Sequence, residues 1–217
     1  MLVLASNSPR RRQLMALGGW TFTLIPAEVD ESPLPGEHPK EYVLRLAESK
    51  ARAAAAVTPE AALVVAADTT VADGGEILGK PADARQAEAM LRRLRGRSHQ
   101  VYTALAVLRS TDGWLLTDWC RTEVPMRLYS DEEMSAYIAT GDPFDKAGAY
   151  GIQHEGFRPV EHLGGCYANV MGLPLCHLVR TLGKMGMAHG TDVPQACQAA
   201  LQYDCPVYLQ VLGGKIL

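Results

Sequence analysis

Two hydrophobic periods interleave along this chain, short apolar runs of the kind that build strands and three-and-four stripes of the kind that build helices. Leu2 to Ala5 is an apolar run that predicts a buried strand. Ser6, Asn7 and Ser8 interrupt it, and Ser8 followed by Pro9 marks a capped helix start, with the helix running to Leu17 and stopping at Gly18 and Gly19. Four prolines and several acids between Ile25 and Pro39 predict a surface loop. From Lys40 to Ala56, Val43, Ala47, Lys50 and Ala54 fall on one helical stripe. Leu63 to Ala67 is a continuous apolar run, read as a central strand buried on both faces, with Asp68 just past its end.

The second half repeats the mixture. After the turn Asp73-Gly74-Gly75, Asp83 and Gln86 predict a capping-box-like start to a helix through Leu94. Gln100 to Leu108 and Leu115 to Val124 read as neighbouring strands joined around Asp112-Gly113. Ser130 and Glu133 form a capping box opening a helix to about Ala139, ended by Gly141. Pro159 to Leu163 reads as a short strand, Leu173-Pro174 as the start of a helix to Leu182, and the last residues as a helix near Pro194 to Tyr203 and a strand over Val207 to Leu212. Strands and helices mixed in this way favour an α/β fold around a mixed central sheet flanked by helices.

Composition narrows the function classes. The 217 residues are 47% hydrophobic and 21% charged, ordinary globular usage with enough chain for one large domain or two small ones. Twenty-one basic against 24 acidic residues leave a net charge of −3, and only three Phe and three Trp are present, so neither a global basic field nor stacking platforms point to nucleic acid. The longest clean apolar run, Ala61 to Ala67, is far short of the roughly 18 residues of a membrane span. The amino end is apolar first and basic second, the reverse of a secretory signal, and Cys120, Cys166, Cys176, Cys197 and Cys205 form no CxxC pair. A cytoplasmic protein with free thiols, no membrane partner and no nucleic-acid partner is the expectation.

Candidate chemistry lies where local rules are broken. Arg10, Arg11 and Arg12 crowd the first turn of a helix, whose dipole disfavours cations there. An anion held by those guanidinium groups, the free backbone donors and the serine hydroxyls would resolve the conflict; a solvated basic face would also do so. Lys50 interrupts an apolar stripe and needs a partner, an anionic ligand or a route to solvent. Asp68, followed by Thr69 and Thr70, could bind a divalent cation, accept a proton, or merely cap a turn. Gly74 to Lys80 fits GxxxxGK, but Pro81 stands where a phosphate-binding loop needs a hydroxyl, so only Lys80 is kept as a phosphate contact. Gln153, ending a Gly-rich loop, offers a paired donor and acceptor suited to a base edge. The basic run Arg92 to Arg97 reads as a solvated helix face or, less simply, as a nucleic-acid contact.

Five segments in order, Ala5 to Arg12, Ala67-Asp68-Thr69, Leu78 to Pro81, Asp145 to Gln153 and Asn169 to Leu175, resemble the motifs of the Maf family of nucleoside triphosphate pyrophosphatases. The resemblance spans residues 2 to about 183 and implies a two-lobed, inosine triphosphate pyrophosphatase-like (Ham1-like) fold with a cleft, a divalent metal such as Mg²⁺ or Mn²⁺, and hydrolysis of a triphosphate to monophosphate and pyrophosphate. It implies Asp68 as catalytic proton acceptor, Glu31 with Asp68 as metal ligands, and Ser6, Ser8, Arg11, Arg12, Lys50, Thr69, Lys80 and Gln153 as substrate and phosphate contacts. Gly148 to Gln153 is similar to the branch that acts on dTTP and UTP. A homodimer is implied by the likeness alone. The family pattern His-x-Val-x-Thr-Gly is broken here at Ala104, in His99 to Ala104. Residues 1–183 are therefore expected to form the nucleotide domain and 184–217 an extension of one helix and one strand. A nucleotide-sensing regulator of cell division using the same cleft without turnover is the competing reading.

Overall fold

The computed structural model describes residues 1–58, 61–188 and 191–215. Its strands are β1 (Leu2–Leu4), β2 (Thr23–Leu24), β3 (Leu63–Asp73), β4 (Glu76–Leu78), β5 (Ser98–Arg109) and β6 (Leu115–Pro125). The helices are α1 (Pro9–Leu17), α2 (Pro39–Ala56), α3 (Ala84–Leu94), α4 (Asp131–Ala139), α5 (Tyr167–Met171), α6 (Leu175–Lys184), α7 (Val193–Leu201) and α8 (Tyr208–Leu212). Single 3₁₀ turns occupy Asp142–Asp145 and Ala147–Ala149. The mixed sheet has the order β2-β1-β3-β5-β6 with β4 beside β3; β1 is parallel to β2 and β3, and the remaining pairs are antiparallel.

Alternation along the central strands divides the core in two. Val64, Ala66, Ala104 and Ala106 face α2, whose Val43, Ala47, Ala51 and Ala54 are fully buried against them. Small side chains on both partners allow a close approach, which brings the one lysine on that stripe near the sheet. Val65, Ala67, Leu105 and Val107 face the other way and join the core that includes Leu14 and Met15 of α1 and Leu178 and Leu182 of α6.

Register creates a notch. β5 pairs with β3 along nearly its whole length, so β1 and β4 share the opposite edge of β3. There β1 takes Leu63 to Val65 and β4 takes Val71 to Asp73, leaving Ala66 to Thr70 without a strand neighbour on that edge. β3 thus continues six residues beyond the expected stop at Ala67, because Asp68 to Ala72 keep pairing with β5. Asp68 stands mid-strand rather than after the strand, at a gap in the sheet.

Local signals were faithful at the helix starts. Ser8 Oγ accepts from Arg11 N at the start of α1, and Ser130 with Glu133 closes a full capping box on α4. At α3, Asp83 caps Gln86 N, but the Gln86 side chain accepts from Ala82 N, so the box is half formed. Two expected strands are absent. Pro159 to Leu163 makes a single bridge, Val160 to Met126. Val207 to Leu212 is mostly the helix α8, because no sheet edge meets it: Val211 buries into the core while the Arg180 guanidinium donates to the carbonyls of Val211 and Lys215. Arg180 also pairs with Asp118 of β6 at 2.6 Å, and Tyr203 Oη reaches the carbonyls of Leu163 and Gly165, so α7 and α8 pack on the rest of the chain. Residues 189–190 and 216–217 of the expected extension lie outside the described residues. Among the described residues no helix is long and apolar enough to cross a membrane.

Candidate active site

The notch in β3 opens into a cleft of about 880 Å³, walled by the β1–α1 loop, the proline-rich loop, Lys80 and the Gly-rich loop at 145–153. Lys50 reaches its floor from the buried face of α2, donating to Asp68 Oδ1 at 2.6 Å and to Glu31 Oε1 at 2.5 Å. Lys50 and Asp68 are 8% and 6% exposed, so this ion pair is formed largely away from solvent. Burial raises the Asp68 carboxyl above its ordinary range, with Lys50 and Arg11 opposing the rise. A carboxylate held there is a stronger base than one in water, which suits a proton acceptor. Glu31 lies on the open side of the cleft. Burial would raise it, yet hydrogen bonding and attraction from Lys50, then Lys80 and Arg11, carry it below the usual glutamate value. Tyr42 donates to the Glu31 carbonyl at 2.9 Å and so ties the proline-rich loop to α2. Burial first, then the charges of Asp68 and Glu31, push the Tyr42 hydroxyl up to about 12.

The opposite wall is cationic. Ser6 and Ser8 line the cleft, and Ser6 Oγ accepts from Ser8 N at 3.2 Å. Arg11 donates from Nε to the Gly172 carbonyl at 2.8 Å and from Nη2 to Thr69 Oγ1 at 3.0 Å, with Nη1 reaching Ser6 Oγ at 3.5 Å. Its burial lowers the guanidinium pKa, partly offset by the charge of Asp68. Lys80 stands at the rim with Nζ 4.0 Å from Glu31 Oε2, and Gln153 lines the mouth from an exposed position. Asp68, Glu31, Ser6, Ser8, Arg11, Lys50, Thr69, Lys80 and Gln153 are thus gathered in one cleft from six separate stretches of chain.

Arg12 is placed elsewhere: it is exposed and is not among the residues lining the cleft. Successive helical residues point about 100° apart, so three consecutive arginines cannot all face one ligand. The arginine that joins Arg11 in the cleft wall is Arg10, whose Nη1 lies 3.3 Å from Asp145 Oδ2 and so links α1 to the Gly-rich loop. That loop is braced by Lys146, which donates to Asp142 and Asp145, and by Tyr137, whose hydroxyl accepts from Gly151 N. Tyr42 and Tyr150 are further cleft residues that sequence reasoning missed; only Tyr150 stood inside a noted loop. The basic run is neutralised within the fold, since Arg92 and Arg95 pair with Asp131, and Arg93 and Arg97 with Asp73.

Two hard carboxylates in the cleft could hold a divalent cation: Asp68 and Glu31, which converge on one ammonium nitrogen. Among the described residues no group of three or more His, Cys, Asp or Glu side chains could hold a metal. Two carboxylates fit a cation of the magnesium kind, which completes its shell with water and phosphate oxygens rather than with a protein cage.

Comparison with known proteins covers the same ground. The family model described as Maf-like protein matches residues 1–185. A protein of Geobacter sp. (strain M21) named dTTP/UTP pyrophosphatase is 47% identical over 188 residues, 85% of this chain and 97% of its own length. One of the same name from Thermomicrobium roseum is 47% identical over 212 residues, 95% of this chain and 93% of its own length. Among solved structures, a HAM1 protein from Coxiella burnetii is similar at 21% identity and a TM-score of 0.41, over 58% of this chain and 72% of that one.

Proposed function

The chain belongs to the Maf-like protein family, and we propose that it hydrolyses nucleoside triphosphates, with dTTP and UTP the preferred substrates, to the monophosphate and pyrophosphate. The observation that carries this reading is the buried Lys50–Asp68 pair facing Arg11 and the start of α1 across a single cleft. A pyrophosphate tail meets there the free amides of a helix N-terminus, the positive end of its dipole, and the side chains of Arg10, Arg11, Lys50 and Lys80. The cations that bind the tail also stabilise the charge that grows on departing pyrophosphate.

Asp68 acts as the proton acceptor for the attacking water, its basicity raised by burial and its orientation fixed by Lys50. We further propose dependence on Mg²⁺ or Mn²⁺ held by Asp68 and Glu31, which would supply charge neutralisation at the phosphate oxygens. Lys50 holds these two carboxylates together, and Gln153 at the mouth would read the base.

A panel of common and modified triphosphates, each assayed with magnesium, manganese and cobalt and resolved for products, tests the proposal. Equimolar monophosphate and pyrophosphate, fastest from dTTP and UTP, is expected. Tight nucleotide binding with no turnover of any triphosphate would replace the enzyme by a sensor.

A further inference from the structure

Arg11 is held at two points, and the two anchors are themselves joined by a side chain that does not line the cleft. Its Nε donates to the carbonyl of Gly172, the residue that closes α5, and its Nη2 donates to Thr69 Oγ1 on β3. Thr69 Oγ1 lies 3.0 Å from Thr103 Oγ1 on the neighbouring strand, and Thr103 Oγ1 donates to the Asn169 carbonyl at 2.9 Å. That carbonyl also accepts from Gly172 N at 2.9 Å, which returns the path to the first anchor. The five bonds form a closed ring through Arg11, Thr69, Thr103, Asn169 and Gly172.

The chemistry of the groups fixes the direction of every proton in the ring. A guanidinium only donates and a carbonyl only accepts. Thr103 uses its single hydroxyl proton on Asn169, so the proton between the two threonines belongs to Thr69. Thr69 therefore presents a lone pair to Arg11, the one orientation in which it can hold a guanidinium. Thr103 and Asn169 are fully buried, and Asn169 is locked by its side-chain amide, which donates to the Val101 carbonyl at 3.1 Å and to Thr122 Oγ1 at 2.9 Å. The ring is also sterically closed. Gly172 has φ +106°, and a Cβ there would lie 3.2 Å from Thr69 Oγ1 and 3.4 Å from Arg11 Nε.

We propose that Thr103 is the positioning residue for Arg11: by fixing the proton on Thr69 and bridging β3 to the end of α5, it aims the guanidinium at the polyphosphate. The inference rests on the proposed hydrolysis, because the aim of Arg11 matters only if a phosphate arrives. Removal of the Thr103 hydroxyl leaves the Thr69 proton without its fixed acceptor, so the Thr69 hydroxyl rotates and one of the two restraints on the guanidinium is loosened.

The test compares the wild-type protein with Thr103→Val, Thr103→Ser, Arg11→Ala and the Thr103→Val/Arg11→Ala double variant, using dTTP and magnesium. Thr103→Val is expected to lower kcat/KM roughly three- to tenfold, no more than Arg11→Ala does, Thr103→Ser to restore it, and Thr103→Val to add no further loss once Arg11 is alanine. A second readout needs no turnover: the Arg11 Nε–H resonance in the nitrogen-15-labelled protein should be slow to exchange in wild type and Thr103→Ser, and fast in Thr103→Val. Wild-type kinetics in Thr103→Val, or losses that multiply in the double variant, would overturn the inference. If the wild-type protein cleaves no triphosphate, the proposed function fails, and the ring stands or falls on the Nε–H exchange alone.

Discussion

Replacing Lys50 with methionine keeps an unbranched apolar stem one atom shorter than lysine and removes the charge and its hydrogen bonds. In the native protein the ammonium lies 2.6 Å from Asp68 and 2.5 Å from Glu31. At an effective dielectric constant of about 20, the Asp68 contact alone represents about 6 kcal/mol of Coulomb attraction. Desolvation of both ions takes back part of it, and deleting one partner of a buried pair costs about 3–5 kcal/mol. Asp68 avoids the whole penalty by holding a proton. Lys50 is the strongest influence opposing the rise that burial imposes on this carboxyl, so its loss moves the Asp68 pKa further upward.

The direction of the stability effect then follows. A carboxyl whose folded pKa lies above its unfolded value of about 3.9 binds its proton more tightly in the folded state. The penalty in Lys50→Met is absent in acid, where Asp68 is protonated in both states, and grows as pH rises from the unfolded value through the folded one. Urea unfolding at acid, neutral and alkaline pH measures this, and a kcat/KM profile measures the same titration in catalysis. Its acid limb should move to higher pH in the variant. A destabilisation equal at every pH, with the acid limb unmoved, would show that Lys50 does not control Asp68.

Arg11→Ala should raise KM for a triphosphate about tenfold, the loss of a charge-assisted contact, while Arg12→Ala leaves it within about twofold, because Arg12 stands outside the cleft. Steady-state kinetics of the two variants side by side decide between them; equal effects would mean that both arginines meet the substrate. Arg180→Met removes the buried partner of Asp118 and the donors to Val211 and Lys215. A loss of about 3–5 kcal/mol in urea titration is expected, and an unchanged midpoint would show that the α8 end of the chain is not fastened through Arg180.

Much of this molecule was legible because its signals are local. Ser8-Pro9 and Ser130 with Glu133 satisfy helix amides within one turn, so their geometry is written in four adjacent residues. Lys50 was visible as a charge on an apolar stripe, a conflict that only a partner could resolve, and the partners are Asp68 and Glu31. What escaped is set by pairing across the chain. The extension of β3 past Asp68 depends on β5, 28 to 34 residues away in the register, and no local pattern announces where β1 stops beside it. Val207 to Leu212 has a strand-like composition, but without a sheet edge to pair with, its backbone bonds close internally as a helix. Three adjacent arginines look alike in sequence until the helix phase separates them, which turns Arg12 away from the cleft and brings Arg10 into its wall. The Thr69–Thr103–Asn169 path joins residues up to 66 positions apart and leaves no trace in spacing.

In the proposed reaction Asp68 activates water against the phosphorus nearest the nucleoside while the arginine wall receives the leaving pyrophosphate. Hydrolysis of dTTP in oxygen-18 water, run with the wild-type protein and with Asp68→Asn, tests it most directly. Label is expected in the thymidine monophosphate and none in pyrophosphate, with turnover lowered about a thousandfold in the variant while it still binds the triphosphate. Label in the pyrophosphate, or turnover by Asp68→Asn at the wild-type rate, would contradict it.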